Sequence, residues 1–366
     1  MSIKQNSDFI YLYQATLSNM NGDPDQENKP RMDYETSIAL VSDNRRKRDI
    51  RDFLKKKGYK IFVDTLAEQK VPMDKMFYHI RDNWLEDNER MDKLLTENTL
   101  LNEKWKIIST SQEYKKEYDS LQTKIKNAKK NDKEIKKIEK ELISFNNIFL
   151  TEIIKRELID IRLFGSAMAV GGITKTYTGP IQINWGYSLH PVEIVKSNTI
   201  TSIMNDDSST FGKKYKLYYA MMAHYGTINK YNAKLTVMTE KDREIFRKAI
   251  VQSLMNNKTD SKQGQEPVLY FEIIYKKDFD GYLGDLRRFI DSKHTSTKVI
   301  RNIEDISIDF KRLNDVIFQM KEKGYIEKVI GWKHPFVQKE CLKNMPAYEN
   351  IDLWEPIEPN NKKDHF

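Results

Sequence analysis

The residues best suited to chemistry crowd into one stretch, Ser18 to Lys55. Its loop carries the aspartates Asp23, Asp25 and Asp33 among its acidic residues, and the run Arg45-Arg46-Lys47-Arg48 follows at the predicted first turn of a helix. Two chemistries fit. Clustered carboxylates can hold a divalent metal and activate water against a phosphodiester. Cations at a helix start, where backbone N–H groups are unpaired, can hold phosphate. Positive charge there opposes the helix dipole by about 0.3–1 kcal/mol per residue, so four such residues imply an anion above them. Arginine predominates, and its planar fork suits phosphate. On a helical wheel Ile50, Phe53 and Leu54 share one arc, while Arg45, Arg48, Arg51 and Lys55 share the opposite one. A solvated basic face is the plainer reading of that wheel. The Asn, Gly and Pro residues of the preceding loop add backbone donors and favour a phosphate chain. Asp23 and Asp25 equally suit turn stabilisation, alone or paired with Arg31.

Other chemistries find less support. The six histidines (His79, His190, His224, His294, His334 and His365) show no H-x-x-H or H-E-x-x-H spacing. Gly281-Tyr-Leu-Gly284 and Gly171-Gly172 lack the rest of any nucleotide-binding loop and read as turns. The single cysteine, Cys341, excludes a disulfide framework and suits a reducing cytoplasm. No apolar run approaches the roughly 18 residues of a membrane span, so a soluble protein without membrane contact is expected. At 366 residues with 32% charged side chains and a net charge of +8, the chain is long enough for one large domain or two, with polyanions as natural partners.

The elements that must position these residues are legible by period. Phe9 to Ser18 reads as a strand, with Phe9, Tyr11, Tyr13, Ala15 and Leu17 on one face. Gly58 stops the first helix, and Lys60 to Val63 reads as a short second strand. Residues 85–157 contain no glycine or proline and carry apolar residues at helical spacing on both sides of a polar break at Lys129–Asp132. That pattern predicts an inserted antiparallel helical hairpin whose charge run is a solvated face or, on the sharper reading, a protein-binding arm. Ile181 to Trp185, Tyr215 to Tyr225, Val268 to Tyr275 and Tyr325 to Trp332 read as strands. Thr239-Glu-Lys-Asp242 predicts a capped helix start, and Lys311 to Lys323 a later helix. Tyr215, Tyr219 and Tyr225 share a strand face and are expected in the core. Strand-helix-strand units in this order predict an α+β fold with a ferredoxin-like or RRM-like core. No RNP1 octamer is present, so ordinary RRM base stacking is not expected.

The organising stretch also carries a family pattern. Asn19-x-Asn21-Gly22-Asp23-Pro24-Asp25, then Pro30-Arg31-x-Asp33, then Ser42-Asp43-x-x-x-Lys47-Arg48-x-Ile50-Arg51-x-Phe53 resembles the start of the CRISPR-associated backbone subunit of type I Cascade complexes. The resemblance is to the branch of subtypes I-B and I-C. Asp160-Ile-Arg-Leu-Phe-Gly165, Gly179-Pro-Ile-Gln182 and Ser188-Leu-x-Pro-Val192 extend it. At Arg46 the family more often has an apolar residue.

The resemblance implies an RRM-like palm, over residues 1–84 and 158–340, with a β-hairpin thumb at about 187–216; the residue pattern adds the charged helical insertion at 85–157 and a C-terminal segment, 341–366, with a disordered end. It implies a non-catalytic subunit that polymerises along CRISPR RNA and presents it to a target DNA strand, beside further copies of itself and other Cascade subunits. Asn19, Asn21, Arg31, Arg45, Lys47, Arg48 and Arg51 would hold the RNA. Arg162 and Ser166 are plausible further contacts, although Arg162 equally suits an ordinary helix face. Ile203 or Met204 either wedges between bases at the thumb or packs in the core. No cofactor or metal is implied. The alternative is a metal-dependent ribonuclease of the related type III kind, acting through Asp33.

Overall fold

The structure, a computed structural model, describes residues 2–62, 73–128, 132–170, 173–197, 199–205, 208–294 and 299–360. It forms two compact units, Met1–Tyr59 with Gly179–Phe366, and Lys60–Thr178. The fold is mixed α+β. Among the described residues no helix is long and apolar enough to cross a membrane.

The first unit is built on β1 (Ser7–Ser18), β2 (Ile38–Val41), α1 (Asp43–Lys56), β3 (Gly186–Ser188), β4 (Leu217–Ile228), α2 (Glu240–Asn256), β5 (Gln265–Tyr275), α3 (Lys311–Glu322) and β6 (Ile326–Lys333). Its main sheet runs Glu349–Asn350, β6, β5, β1, β4, β3, β2, Met32–Asp33, with Ile181–Ile183 paired further along β4. β1 lies at the centre, antiparallel to both neighbours, with Tyr11 opposite His224 on one side and Tyr270 on the other. A central strand is covered on both faces, which corrects the one-faced reading of Phe9 to Ser18. Phe9 packs against Phe246 of α2 at 5.4 Å. Ile10 and Leu12 join Leu286, Ile308, Leu313 and Ile317 in the core on the other face. Leu17 leaves the apolar face altogether. Its φ of 48° turns the chain outward and leaves the side chain 51% exposed.

The predicted cap is present at the start of α2. The Asp242 amide donates to Thr239 Oγ1 at 3.2 Å, and the Thr239 amide donates back to Asp242 Oδ2 at 2.9 Å. Below it, Arg243 and Arg247 donate to the buried Glu272 of β5 at 2.8 and 2.7 Å. Burial pushes that carboxyl up, but the two guanidinium groups outweigh it and hold the group ionised. Tyr215, Tyr219 and Tyr225 are buried, as their strand face predicts.

The second unit is wider and more elaborate than a hairpin over 85–157. It contains the helices Met73–Glu86, Asn88–Glu97, Thr99–Ile108, Tyr114–Lys126, Lys133–Glu157 and Ile159–Phe164, then the strand pair Gly165–Val170 and Ile173–Thr178. The hairpin exists as the fourth and fifth helices, but three more pack onto it through Phe77, Trp84, Leu94, Trp105, Phe145 and Phe149. Polar residues between successive helices act as caps. Asp87 accepts from the Arg90 amide at 3.0 Å and Asn98 from the Leu101 amide at 3.0 Å. The flanks close on each other: the Phe62 amide donates to Asp160 at 2.7 Å, and Lys60 pairs with Glu157 at 3.4 Å. These ties hold Lys60–Phe62 without a ladder partner, so the short second strand does not form, and Val63 lies outside the described residues.

The C-terminal segment is not separate. Glu349 and Asn350 pair in parallel with Ile330 and Gly331 of β6, and Leu353 and Ile357 are buried. Gln252 of α2 donates to the carbonyls of Leu353 and Glu355, both at 2.8 Å. Apolar side chains spaced along the segment fasten it to the first unit. The end expected to be disordered, 361–366, lies outside the described residues.

Candidate nucleic-acid interface

The loop between β1 and β2 is a scaffold of asparagines. The Asn19 amide donates to Ser261 O at 2.7 Å, and Asn19 Nδ2 to Asn28 O at 2.8 Å. The Arg31 amide returns to Asn21 O at 3.0 Å, while Asn21 Oδ1 accepts from both the amide and the hydroxyl of Ser42, at 2.9 and 3.0 Å. Glu27 and Asn28 take left-handed φ values of 51° and 62°. A Cβ on Gly22 would lie 1.9 Å from Asn28 Oδ1, so a larger residue there would displace the Asn28 side chain. Asn21 therefore positions the start of α1, and Asn19 the loop itself.

α1 begins earlier than its basic run implies. Ser42 caps it, its hydroxyl accepting from the Arg45 amide at 3.3 Å, and Asp43 occupies the first turn. The dipole is thus met by a carboxylate, and the cations start at the end of that turn. Each then finds a carboxylate one turn away: Lys47 with Asp43 at 2.9 Å, Arg48 with Asp52 at 2.6 Å, and Arg45 with Asp49. Ile50, Phe53 and Leu54 are buried as the wheel predicts.

Arg46 turns inward, only 1% exposed, with its guanidinium 5.3 Å from the Tyr13 ring centroid and 3.2 Å from Asp49. Asp49 also receives Lys262 Nζ at 3.1 Å, and its backbone carbonyl accepts Asn257 Nδ2 at 2.6 Å. Burial pushes the Asp49 carboxyl up, but Arg46, Arg45 and Lys262 together hold it below the usual range. One carboxylate thus fastens the basic helix to the loop that follows α2.

That loop and a lysine run missed in the sequence complete the surface. In Lys213-Lys-Tyr-Lys216, Tyr215 donates to Glu27 at 2.9 Å and Lys213 lies 3.5 Å from the same carboxylate. Lys29 sits over the Tyr215 ring at 5.3 Å. Asp260 holds Lys214 at 3.0 Å and Lys216 at 3.8 Å. Four segments, the 19–33 loop, α1, the 213–216 run and the 257–264 loop, are therefore tied to one another, and each brings cations. The alternation K-K-Y-K beside a strand start was the available signal.

Arg31 shares this region, pairing with Asp23 at 3.4 Å and lying 5.9 Å from the Trp185 ring centroid. Asp23 also accepts from the Asp25 amide at 3.3 Å, a turn-stabilising role. Asp33 is exposed, accepts from the Thr36 hydroxyl and from the Glu35 amide at 3.1 Å, and is held below the usual carboxylate range chiefly by Thr36. Among the described residues no three His, Cys, Asp or Glu side chains gather where they could hold a metal ion.

The remaining expected contacts are placed differently. Arg162 belongs to the second unit, where its Nη1 donates to the carbonyls of Lys155 and Arg156 at 3.1 and 3.0 Å, closing the end of the long helix. Ser166 lies on the strand Gly165–Val170 of that unit, its hydroxyl donating to Ala167 O at 3.3 Å. Ile203 and Met204 lie on the strand Thr199–Asn205, paired antiparallel with Ser208–Lys213, and their side chains lie outside the described residues.

A family model described as CRISPR-associated protein Cas7 matches residues 5–311. A curated relative, the CRISPR-associated protein Cas7 of Haloferax volcanii, is 20% identical over 354 residues, covering 90% of this chain and 88% of the relative. Two similar solved chains come from structures titled "CRISPR RNA-guided surveillance complex, pre-nicking" (TM-score 0.48, 12% identity, 94% of this chain and 96% of that one) and "CRISPR RNA-guided surveillance complex" (TM-score 0.44, 13% identity, 95% and 96%). The matched span takes in the asparagine loop, the basic helix and the lysine run, and the chain belongs to the CRISPR-associated protein Cas7 family.

Proposed function

We propose that this chain is a non-catalytic, CRISPR RNA-binding backbone subunit of a type I surveillance complex, of the I-B/I-C branch. The carrying observation is the joining of cations from four segments through Asp49, Glu27 and Asp260. Such fixation removes rotamer freedom before the ligand arrives, which lowers the entropic cost of binding. The ion pairs along α1 do not cancel this capacity. Exposed pairs one helical turn apart contribute about 0.3–0.5 kcal/mol, so a phosphate can displace Asp52 from Arg48. α1 carries seven cations against three carboxylates, leaving a positive surplus for the polymer.

In this reading Arg31, Arg45, Lys47, Arg48 and Arg51 follow the phosphates, joined by Lys213, Lys214, Lys216 and Lys262, with Asn19 and Asn21 holding the loop. The sheet serves as an RRM-like palm. The section at about 187–216, which contains the paired strands Thr199–Asn205 and Ser208–Lys213, serves as the thumb, with Ile203 or Met204 as its wedge. Successive copies line the guide, expose it to a target DNA strand and join other subunits. Sequence is read by base pairing and affinity is electrostatic, so binding falls steeply with salt. Asp33 spends its oxygens on a turn, consistent with a binding role.

The test is Arg48→Glu with Arg51→Glu. Assembly on guide RNA should be lost while the circular dichroism spectrum and melting curve of the free protein stay unchanged. RNA binding by this variant equal to that of the parent at physiological salt would overturn the proposal.

A further inference from the structure

One exposed ring stands beside the candidate interface with no role assigned to it. Trp185 is 46% exposed, yet the backbone that carries it is fixed residue by residue. The Asn184 amide donates to Tyr225 O at 2.8 Å, and the Trp185 carbonyl accepts Arg287 Nη1 at 2.7 Å. Arg287 is itself buried, bound to Asp285 at 2.8 and 2.6 Å, with its guanidinium 4.1 Å from the Tyr187 ring centroid. Gly186 pairs with Val41 of β2, and a Cβ there would lie 2.5 Å from the His224 ring. A rigid strand end therefore presents a large apolar ring to water.

Register says where that ring stands. β2 and β3 run antiparallel, with Leu40 opposite Tyr187 and Val41 opposite Gly186. One step further brings Trp185 to Ser42, the cap of α1, whose amide and hydroxyl are held by Asn21. Arg31 reaches the same place from the 19–33 loop, its guanidinium 5.9 Å from the indole centroid. That guanidinium is only partly used. Its Nη2 meets Asp23 at 3.4 Å, a long contact to a carboxylate that also accepts the Asp25 amide. Its buried Nε has no hydrogen-bond partner among the described residues.

The ligand follows from what each half of the pair requires. A polyanion without rings would answer Arg31 and leave the indole in water. An apolar protein face would cover the indole but desolvate a guanidinium whose donors stay unmet, which is costly. A nucleotide supplies both, an anionic oxygen for Arg31 and a flat ring for Trp185. Every base offers that flat face, so the contact tolerates any sequence.

We infer that Trp185 is a stacking platform for one base of the bound RNA, beside a phosphate taken by Arg31 at the start of α1. This role rests on the RNA-binding reading and goes beyond it by naming what the base touches.

The probes are two fluorescein-labelled hexamers, hexaadenylate and a hexamer of abasic ribose phosphates, titrated with the full chain by anisotropy at several salt concentrations. Both carry the same phosphates, so only the bases distinguish them. Trp185→Ala should weaken hexaadenylate binding about tenfold. It should leave the abasic hexamer and both salt slopes unchanged, and that retained binding also checks that the variant is folded. Trp185→Phe, which restores a flat face, should recover most of the loss. Arg31→Ala should weaken both hexamers and reduce the slope by about 0.7. Equal hexaadenylate affinity in Trp185→Ala and the parent overturns the stacking role while RNA binding stands. If assembly on long guide RNA is nonetheless lost in that variant, the indole is a contact between copies. A loss equal for both hexamers also overturns the role, because Trp185 would then act on the phosphate chain. Failure of the parent to bind either hexamer or long guide RNA overturns the stacking role and the RNA-binding reading together.

Discussion

α1 and the tip of the inserted hairpin carry similar positive charge to different ends. α1 has seven cations and three carboxylates, while residues 124–140 have eight lysines and three carboxylates. In α1 the cations are mostly arginine, partly buried, and fastened through Asp49 to Lys262 and Asn257. At the hairpin tip the described lysines, 124, 126, 133, 136, 137 and 140, are all exposed. A long exposed side chain keeps its rotamer freedom and must lose about 1.5–2 kcal/mol of it to make a fixed contact. Charge density alone therefore does not mark a binding surface. Its fixation by neighbouring elements does.

The sharpest way to break this contrast is to remove the residue that does the fixing. Asp49→Ala leaves Arg46 buried beside Tyr13 with no carboxylate, and an uncompensated buried charge costs about 3–5 kcal/mol. Urea unfolding should show that loss, and guide-RNA affinity should fall with it because Arg45 and Lys262 lose their common anchor. A loss below about 1 kcal/mol, within the range of ordinary surface changes, would mean that α1 is no more fixed than the hairpin.

Acidification separates the two regions next. His224 is fully buried opposite Tyr11, and burial, aided by the charge on Arg46, lowers its pKa to about 3. The unfolded chain takes up a proton near pH 6.5 while the folded chain does not, so stability is complete above that pH and falls as pH drops toward 3. By pH 5 the loss should be about 2 kcal/mol. In the insertion, Glu97, Glu113 and Glu141 are also held below the usual carboxylate range by lysine or arginine partners, but they are exposed and screened. Hydrogen exchange at pH 5 should therefore show the sheet around β1 and β4 opening before the helices from Asn88 to Glu157. His224→Gln should flatten the pH dependence. A slope unchanged in that variant would place the acid sensitivity elsewhere.

Smaller again is the effect of the lysine run. Changing Lys213, Lys214 and Lys216 to Gln should lower RNA affinity about tenfold at physiological salt. It should also reduce the log–log salt slope by about 2, at about 0.7 per single-strand phosphate contact. Lost affinity with an unchanged slope would mean that the run shapes the loop and does not meet phosphate.

Much of the fold was legible because local period and burial agreed. Ile50, Phe53 and Leu54 show why: one arc of a wheel, one buried face. The capping box at Thr239 was equally readable, since its two bonds lie within four residues. What stayed hidden depends on partners distant in sequence. Arg46 looks like any member of a basic run until β1 places Tyr13 beneath it. Lys262 acquires meaning from a carboxylate 213 residues away. Asp87 and Asn98 carry no separate signal in a polar stretch and are caps only because Trp84 and Trp105 build a core across them. The pairing of Glu349 and Asn350 with β6 involves two residues, too few for any alternation to show. The candidate interface divided the same way, with its arginines visible in a run and the lysines that join them supplied by the fold.

The contrast itself stands or falls on the hairpin lysines. If fixation decides which cations bind, Lys124, Lys126, Lys133 and Lys136 changed together to Gln should leave guide-RNA affinity and its salt slope unaltered. Stability should move by no more than about 0.5 kcal/mol, as for surface substitutions away from buried features. The change removes as many charges as lie in the 45–48 run, so it is matched in net charge to the loss of that run. Any long-range field of the whole chain falls equally in both cases, yet only the change in α1 should abolish binding. A drop in affinity comparable to that of the Arg48→Glu, Arg51→Glu variant would show that loose surface charge contributes as much as anchored charge. The four-segment surface would then be one basic patch among several.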